Sequence, residues 1–296
     1  MLGHRDVEND EEGERGAEEA ELPPAFTPPE GERFEVNSAQ VKTAFRHTHP
    51  SKATPEWSIP TRMYVVAEDQ LAQPIKRLWE KMGDTGEFPQ SWEVQKTVWI
   101  PKAGEKANLV HKRRGITILD GGAKGYLVWL QKEIASKSAH QRRQCEYGAV
   151  SKRGVAHAIT KVLGIRNRLP KAKASAVSFL GDSVKAFDRI KRAAVFQRTG
   201  EKIQNKRLEA RMVARHRKIV ASTKIDEDKL YMRVETGVPQ GDPNGPPFFV
   251  NGYEVALDRI GETREKQGNQ EMPICMPEWW KEKNQDGSKV QLKTAT

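Results

Sequence analysis

Apolar residues recur at helical spacing over 63–79, at Met63, Val66, Leu71, Ile75, Leu78 and Trp79, which predicts a helix with these positions turned inward. Turn chemistry at Asp84-Thr-Gly86 ends it. Residues 94–101 (Val-Gln-Lys-Thr-Val-Trp-Ile-Pro) are β-rich and stop at a proline, so they read as a strand. Residues 102–106 then read as a hairpin turn and 115–119 as the returning strand. Helices are expected over 124–138, with Leu127, Leu130 and Ile134 inward, and over 155–169, stopped before Pro170. Residues 177–180 form a short apolar strand running into Asp182. Helical patterns follow over 189–206, 207–219 and 248–260, with a strand over 229–235 between the last two.

Outside these blocks the periodicity fades. Residues 1–33 are rich in Glu, Gly and Pro and cannot bury enough surface to offset the entropy of ordering. They read as an acidic disordered leader, 34–54 as a connecting segment, 55–260 as the folded body and 261–296 as an irregular tail. Charge sharpens this division. The net charge of +10 is the sum of −8 over residues 1–33 and +18 over the remainder. A basic body favours a polyanionic partner held through phosphate contacts, with binding that weakens steeply with salt. The exposed face of the 207–219 helix is read as carrying Arg211, Arg215, Arg217 and Lys218, and Arg211, Arg215 and Lys218 are the candidate nucleic-acid contacts.

Other chemistry is sparse. Cys145 and Cys275 lie far apart with no ligand-like spacing, and read as ordinary thiols of a reducing compartment. His47-Thr-His49 lacks the third and fourth ligands of a zinc site. No apolar run approaches the ~18 residues of a membrane span, and the acidic first residues do not form a secretory signal. An intracellular protein, nuclear or cytoplasmic, is expected. Asp182, at the end of an apolar strand, suits either a metal-binding carboxylate or a cap on the segment that follows.

Two segments carry more. Asp182-Ser-Val-Lys-Ala-Phe-Asp188 and Gly237-Val-Pro-Gln-Gly-Asp-Pro243 resemble, in order and spacing, two polymerase motifs of reverse transcriptases, nearest to those of non-LTR (LINE-type) retrotransposons. Upstream, Gly86-Glu-Phe-Pro-Gln-Ser-Trp92, Val98-Trp-Ile-Pro-Lys102, Arg113-Arg-Gly-Ile-Thr-Ile-Leu119 and Glu146-Tyr-Gly-Ala149 with Arg153-Gly-Val-Ala-His-Ala-Ile159 resemble further blocks of that family. The likeness spans roughly residues 55–260. It implies an α/β fold, a partial right-hand polymerase with reverse-transcriptase-like fingers and an incomplete palm. The implied activity is RNA-templated DNA synthesis on an RNA template and DNA primer from deoxynucleoside triphosphates, with Mg²⁺ or Mn²⁺ as cofactor.

The resemblance also assigns roles. Asp182 becomes the catalytic and metal-binding carboxylate. Phe187 becomes the aromatic that excludes a ribose 2′-hydroxyl, beside its plainer role as a core residue. Gln240 and Gly241 face the incoming nucleotide, and Lys102 and Arg114 meet its triphosphate; Asp188 is structural. The family's third motif, an aromatic-x-Asp-Asp hairpin, has no counterpart after Pro243, so a truncated or degenerate retroelement domain with negligible polymerisation is expected. The rivals are a non-catalytic nucleic-acid-binding protein and an unstable fragment whose incomplete sheet exposes a pairing edge.

Overall fold

The computed structural model describes residues 33–102, 113–138, 146–171, 173, 186–225 and 227–266. They form a mixed α/β fold. The elements run α1 (Ser38–Arg46), α2 (Thr61–Val66), α3 (Glu68–Thr85), α4 (Gln90–Glu93), β1 (Val94–Pro101), β2 (Arg113–Ile118), α5 (Gly121–Ser138), α6 (Val155–Arg168), α7 (Ala186–Arg189), α8 (Arg192–Ile203), α9 (Lys206–Arg217), β3 (Val220–Ile225), β4 (Asp228–Arg233) and α10 (Gly245–Lys266).

Helix α5 is the axis of the core. Its first two and a half turns are buried almost all round, through Ala123, Tyr126, Leu127 and Leu130, with Ile134 continuing one face, and such a stretch must be enclosed by other helices. α1, α2, α8 and α9 pack around it. Asp120 starts it by accepting from the Gly122 and Ala123 amides, at 2.8 and 3.2 Å. Aromatic rings fill the space beside it: Trp79 meets Tyr126 edge-on at 5.4 Å, and Phe45 stacks on Tyr64 at 4.8 Å.

The sheet has the order β2-β1-β3-β4, antiparallel at both outer pairs and parallel between β1 and β3. The β1–β2 register runs from Lys96 opposite Ile118 to Pro101 opposite Arg113, so the two strands expected from sequence pair antiparallel; of the turn expected at 102–106, residues 103–106 lie outside the described residues. Trp99 ties the middle of the sheet, donating from Nε1 to the Thr223 hydroxyl at 3.0 Å.

Several expectations change. The segment 34–54 is more than a connector: α1 buries Val41, Ala44 and Phe45 in the core. Its start is fixed by a capping box, Asn37 accepting from Gln40 N while the Gln40 side chain accepts from Asn37 N. The 63–79 helix breaks at Ala67, whose backbone (φ −99°, ψ 27°) leaves the helical region, into α2 and α3, and the second turns its own stripe (Ala72, Ile75, Trp79, Met82) inward. Met63 and Val66, expected inside, are exposed. β3 carries no strong apolar alternation and is held by its neighbours β1 and β4. α10 runs to Lys266, beyond the expected boundary at 260. The predicted strand at 177–180, Asp182, both cysteines and the leader before Arg33 lie outside the described residues.

Candidate functional site

The loop 237–243 joins the end of β4 to α10 and is clamped from two sides. On one side, Gly237 N–H donates to Ile190 O at 3.1 Å and Val238 N–H to Phe187 O at 2.7 Å. On the other, Thr117 N–H of the edge strand β2 donates to Gln240 O at 2.6 Å. Glycine is required where the clamp is tightest. Gly237 has φ +75°, and a Cβ there would lie 2.7 Å from the main-chain oxygens of both Phe187 and Asp188. Gly241 has φ +126°, and its Cβ would drive into the Thr117 carbonyl oxygen.

A buried polar network fixes the loop from below. Arg192, at the start of α8, donates from Nε to Gly237 O (2.8 Å) and from Nη1 to Val234 O (2.6 Å) and His216 O (3.1 Å). One guanidinium thus ties the loop, the exit from β4 and the end of α9. Burial pushes its pKa down to about 10, partly opposed by the charge of Asp242. His216 Nε2 lies 3.3 Å from Asp242 Oδ2, and both side chains are enclosed. Asp242 Oδ1 also accepts from Asn244 N–H at 2.8 Å, while the Asn244 amide donates to Leu127 O at 3.1 Å. Burial alone would raise the Asp242 pKa. The hydrogen bond and charge of His216, the charge of Arg215 and the Asn244 amide outweigh it and hold the carboxyl below its ordinary value.

Above the network the loop presents a small polar surface. Gly241 is exposed, and the Gln240 amide reaches the exposed carboxylate of Asp188 at 3.4 Å. Phe187 is half-buried and stacks on Phe249 at 4.9 Å, so its core role is realised. The cations stand farther off. Arg114 is exposed on β2, three residues before Thr117, which is about 10 Å along a strand. Lys102 follows β1 at the same end of the hairpin, where Pro101 pairs with Arg113. Phe187, Gln240 and Gly241 are therefore gathered at one place, with Arg114 and Lys102 further along the adjoining hairpin.

The basic face assigned to α9 is overturned. Arg211 and Arg215 are 8% and 1% exposed, and only Lys218 of the three candidates stands in solvent. The Arg211 guanidinium lies over the Phe34 ring at 4.0 Å, and Arg215 donates from Nη2 to Trp92 O at 3.1 Å. Burial lowers both pKa values. These arginines serve the core. A planar, weakly hydrated guanidinium lies flat against aromatic rings at lower desolvation cost than an ammonium.

Among the described residues no group of three or more His, Cys, Asp or Glu side chains converges as a metal site. Asp242 is committed to His216 and Asn244, and Asp188 stands alone beside Gln240. Asp182, the candidate metal ligand, lies outside the described residues. No helix among them is long and apolar enough to cross a membrane. No protein-family model matches the chain, and no curated protein matches it in sequence.

Reading the sequence alone missed Arg192, His216 and Thr117. Arg192 carried no signal beyond standing near a predicted helix start. His216 read as one more polar residue on a basic helix. Asp242 lay inside a recognised motif, but its partner is 26 residues away.

Proposed function

We propose that this chain is a reverse-transcriptase-like domain of the non-LTR retrotransposon type, with fingers and part of a palm. The family activity is RNA-templated DNA synthesis from deoxynucleoside triphosphates. What supports this reading is one observation: segments resembling three separate polymerase blocks meet by direct main-chain hydrogen bonds. Val238 N–H binds Phe187 O, and Thr117 N–H binds Gln240 O. The described end of that block (186–188), the 237–243 loop and the finger strand β2 adjoin, as a nucleotide site built from all three requires. In this reading Gln240 and the side-chain-free Gly241 face the nucleotide, Phe187 stands at its sugar, and Arg114 and Lys102 meet its phosphates.

In this reading residues 1–296 supply contacts to template and nucleotide, and the carboxylate pair that polymerisation needs is not among them. Phosphoryl transfer in this family depends on two cations held by carboxylates. Asp182 is the one motif carboxylate of this sequence with that assignment, and no Asp-Asp pair follows Pro243. The test is primer extension on a poly(rA)/oligo(dT) hybrid with Mg²⁺ or Mn²⁺, alongside ultraviolet crosslinking of labelled dTTP. The expected result is salt-sensitive hybrid binding, crosslinking weakened by Gln240→Ala and by Arg114→Gln, and no extension. Extension that disappears in Asp182→Ala would overturn the inactivity. Failure to bind either ligand would overturn the polymerase reading itself.

A further inference from the structure

Helix α6 and the loop before it form a broad, open depression of mixed polar and apolar lining, outside the 237–243 site. Its volume is about 760 Å³, and it is lined by Tyr147, Arg153, Ala156, His157, Thr160 and Lys161. From Tyr147 to Lys173 the sequence holds seven Lys or Arg and no Asp or Glu. None of the α6 side chains is buried. The cleft is nonetheless built. The Arg153 guanidinium donates from Nη1 to Glu146 O at 3.0 Å and its amide donates to Val150 O at 3.2 Å, folding the loop onto itself. The Lys161 ammonium lies 5.9 Å from the centre of the Tyr147 ring. Ala149 (φ 53°) and Lys152 (φ 61°) take left-handed conformations that β-carbon-bearing residues adopt at a cost.

We infer that this cleft binds single-stranded nucleic acid, with a base stacked at Tyr147 and the backbone phosphates drawn by Arg153, His157 and Lys161. An aromatic ring beside several cations is the combination that holds unpaired strands: every base has a face to stack, and every nucleotide brings a phosphate. A duplex offers the phosphates but keeps its bases stacked on each other. A membrane surface is disfavoured by the helix geometry. At 100° per residue, Val155, Ile159 and Val162 share one face of α6, and His157, Thr160 and Lys161 lie on the opposite one. An anionic bilayer would engage the apolar face, and the tyrosine-lined cleft would then point away from it. Tyr147, Arg153, Ala156 and His157 lie in segments that resemble a block of the same family, but the inference rests on the cleft's own residues and is tested apart from polymerisation.

The experiment is fluorescence anisotropy of the full chain with a labelled twenty-nucleotide oligo(U), titrated from 50 to 300 mM salt. Tyr147→Ala is expected to weaken binding about tenfold with the salt slope unchanged, as loss of a stacking platform does. Tyr147→Phe keeps the ring and retains affinity. Lys161→Gln lowers the slope of log K against log salt by about 0.7, one phosphate contact on a single strand. Both positions are partly exposed, so the variants retain the wild-type fold, which circular dichroism checks. Wild-type affinity and slope in both Tyr147→Ala and Lys161→Gln would overturn the inference. So would equal losses in Tyr147→Ala and Tyr147→Phe, or displacement of the oligonucleotide by phosphatidylserine vesicles in a manner abolished by Ile159→Asp. Primer extension in parallel keeps the two readings separate: a chain that neither extends nor crosslinks dTTP, yet binds oligo(U) through Tyr147, leaves this inference standing.

Discussion

Replacing Gly241 by alanine probes the clamp on the 237–243 loop at its narrowest point. Two costs add. The backbone angle of φ +126° lies where side-chain-bearing residues are strained, worth about 1–3 kcal/mol. The new methyl would also drive into the Thr117 carbonyl oxygen, a main-chain atom fixed in the β1–β2 ladder. The loop must therefore retreat from β2, giving up the 2.6 Å bond from Thr117 N–H to Gln240 O, for about another 1 kcal/mol. The expected total is roughly 2–4 kcal/mol, read as a fall of about 1 M in the urea midpoint at unchanged m. Because Gln240 moves with the loop, crosslinking to dTTP falls as well. Gly164→Ala is the control of opposite sign. It lies inside α6 with nothing within 4 Å of its added Cβ, and gains about 0.5–1 kcal/mol from helix propensity. A Gly241→Ala midpoint indistinguishable from wild type would mean that the loop is not clamped, and the account of the site would fail.

Three further outcomes follow from the buried network. Two arginines should respond unequally to methionine, as measured by urea melts. Arg192→Met strands three carbonyls that Arg192 now satisfies and costs about 3–5 kcal/mol; Arg215→Met strands only the Trp92 carbonyl and weakens the hold on the Asp242 charge, while relieving a buried Nε and Nη1 that have no hydrogen-bond partner among the described residues, so it costs less, about 1–2 kcal/mol, and leaves oligonucleotide binding unchanged. Asp242→Asn tests linkage. The folded carboxyl sits below its ordinary 3.8, so its contribution is fully present above about pH 4 and is lost as pH falls through the lower folded value. The gap between wild type and variant should therefore be wide at pH 7 and shrink as pH falls below about 4, and a gap independent of pH would refute the assignment. Finally, Lys202 and Glu254 form an enclosed ion pair at 2.5 Å between α8 and α10. Glu254→Gln alone should cost about 3–5 kcal/mol, and the double change Lys202→Met with Glu254→Leu should recover most of it; additive losses would show that the two charges are not coupled.

The amino-acid sequence by itself determined the elements whose pattern is local. β1 and β2 follow from β-rich runs beside a proline and a glycine, α5 from a long apolar helical stretch, and the 237–243 loop from glycines and prolines that permit little else. It also placed Phe187, Gln240 and Gly241 in motifs that the fold gathers at one site. What it left open depends on partners distant in the chain. β3 contains Ala, Ser, Thr and Lys and becomes a strand because β1 and β4 flank it. Arg211 and Arg215 stand in register with Leu208 and Met212, at the i, i+3, i+4, i+7 spacing of a buried stripe. Residue type argued for solvent, and position argued for the core. Position prevailed because Phe34 and Phe88 supply ring faces and the Gly83 and Trp92 carbonyls supply acceptors, arriving from segments more than a hundred residues away. The same holds beneath the loop, where Arg192, His216 and Asp242 act together only because α8, α9 and α10 pack against one another. A charge enters a protein interior when the rest of the chain can satisfy it there, and only the tertiary structure decides where that happens.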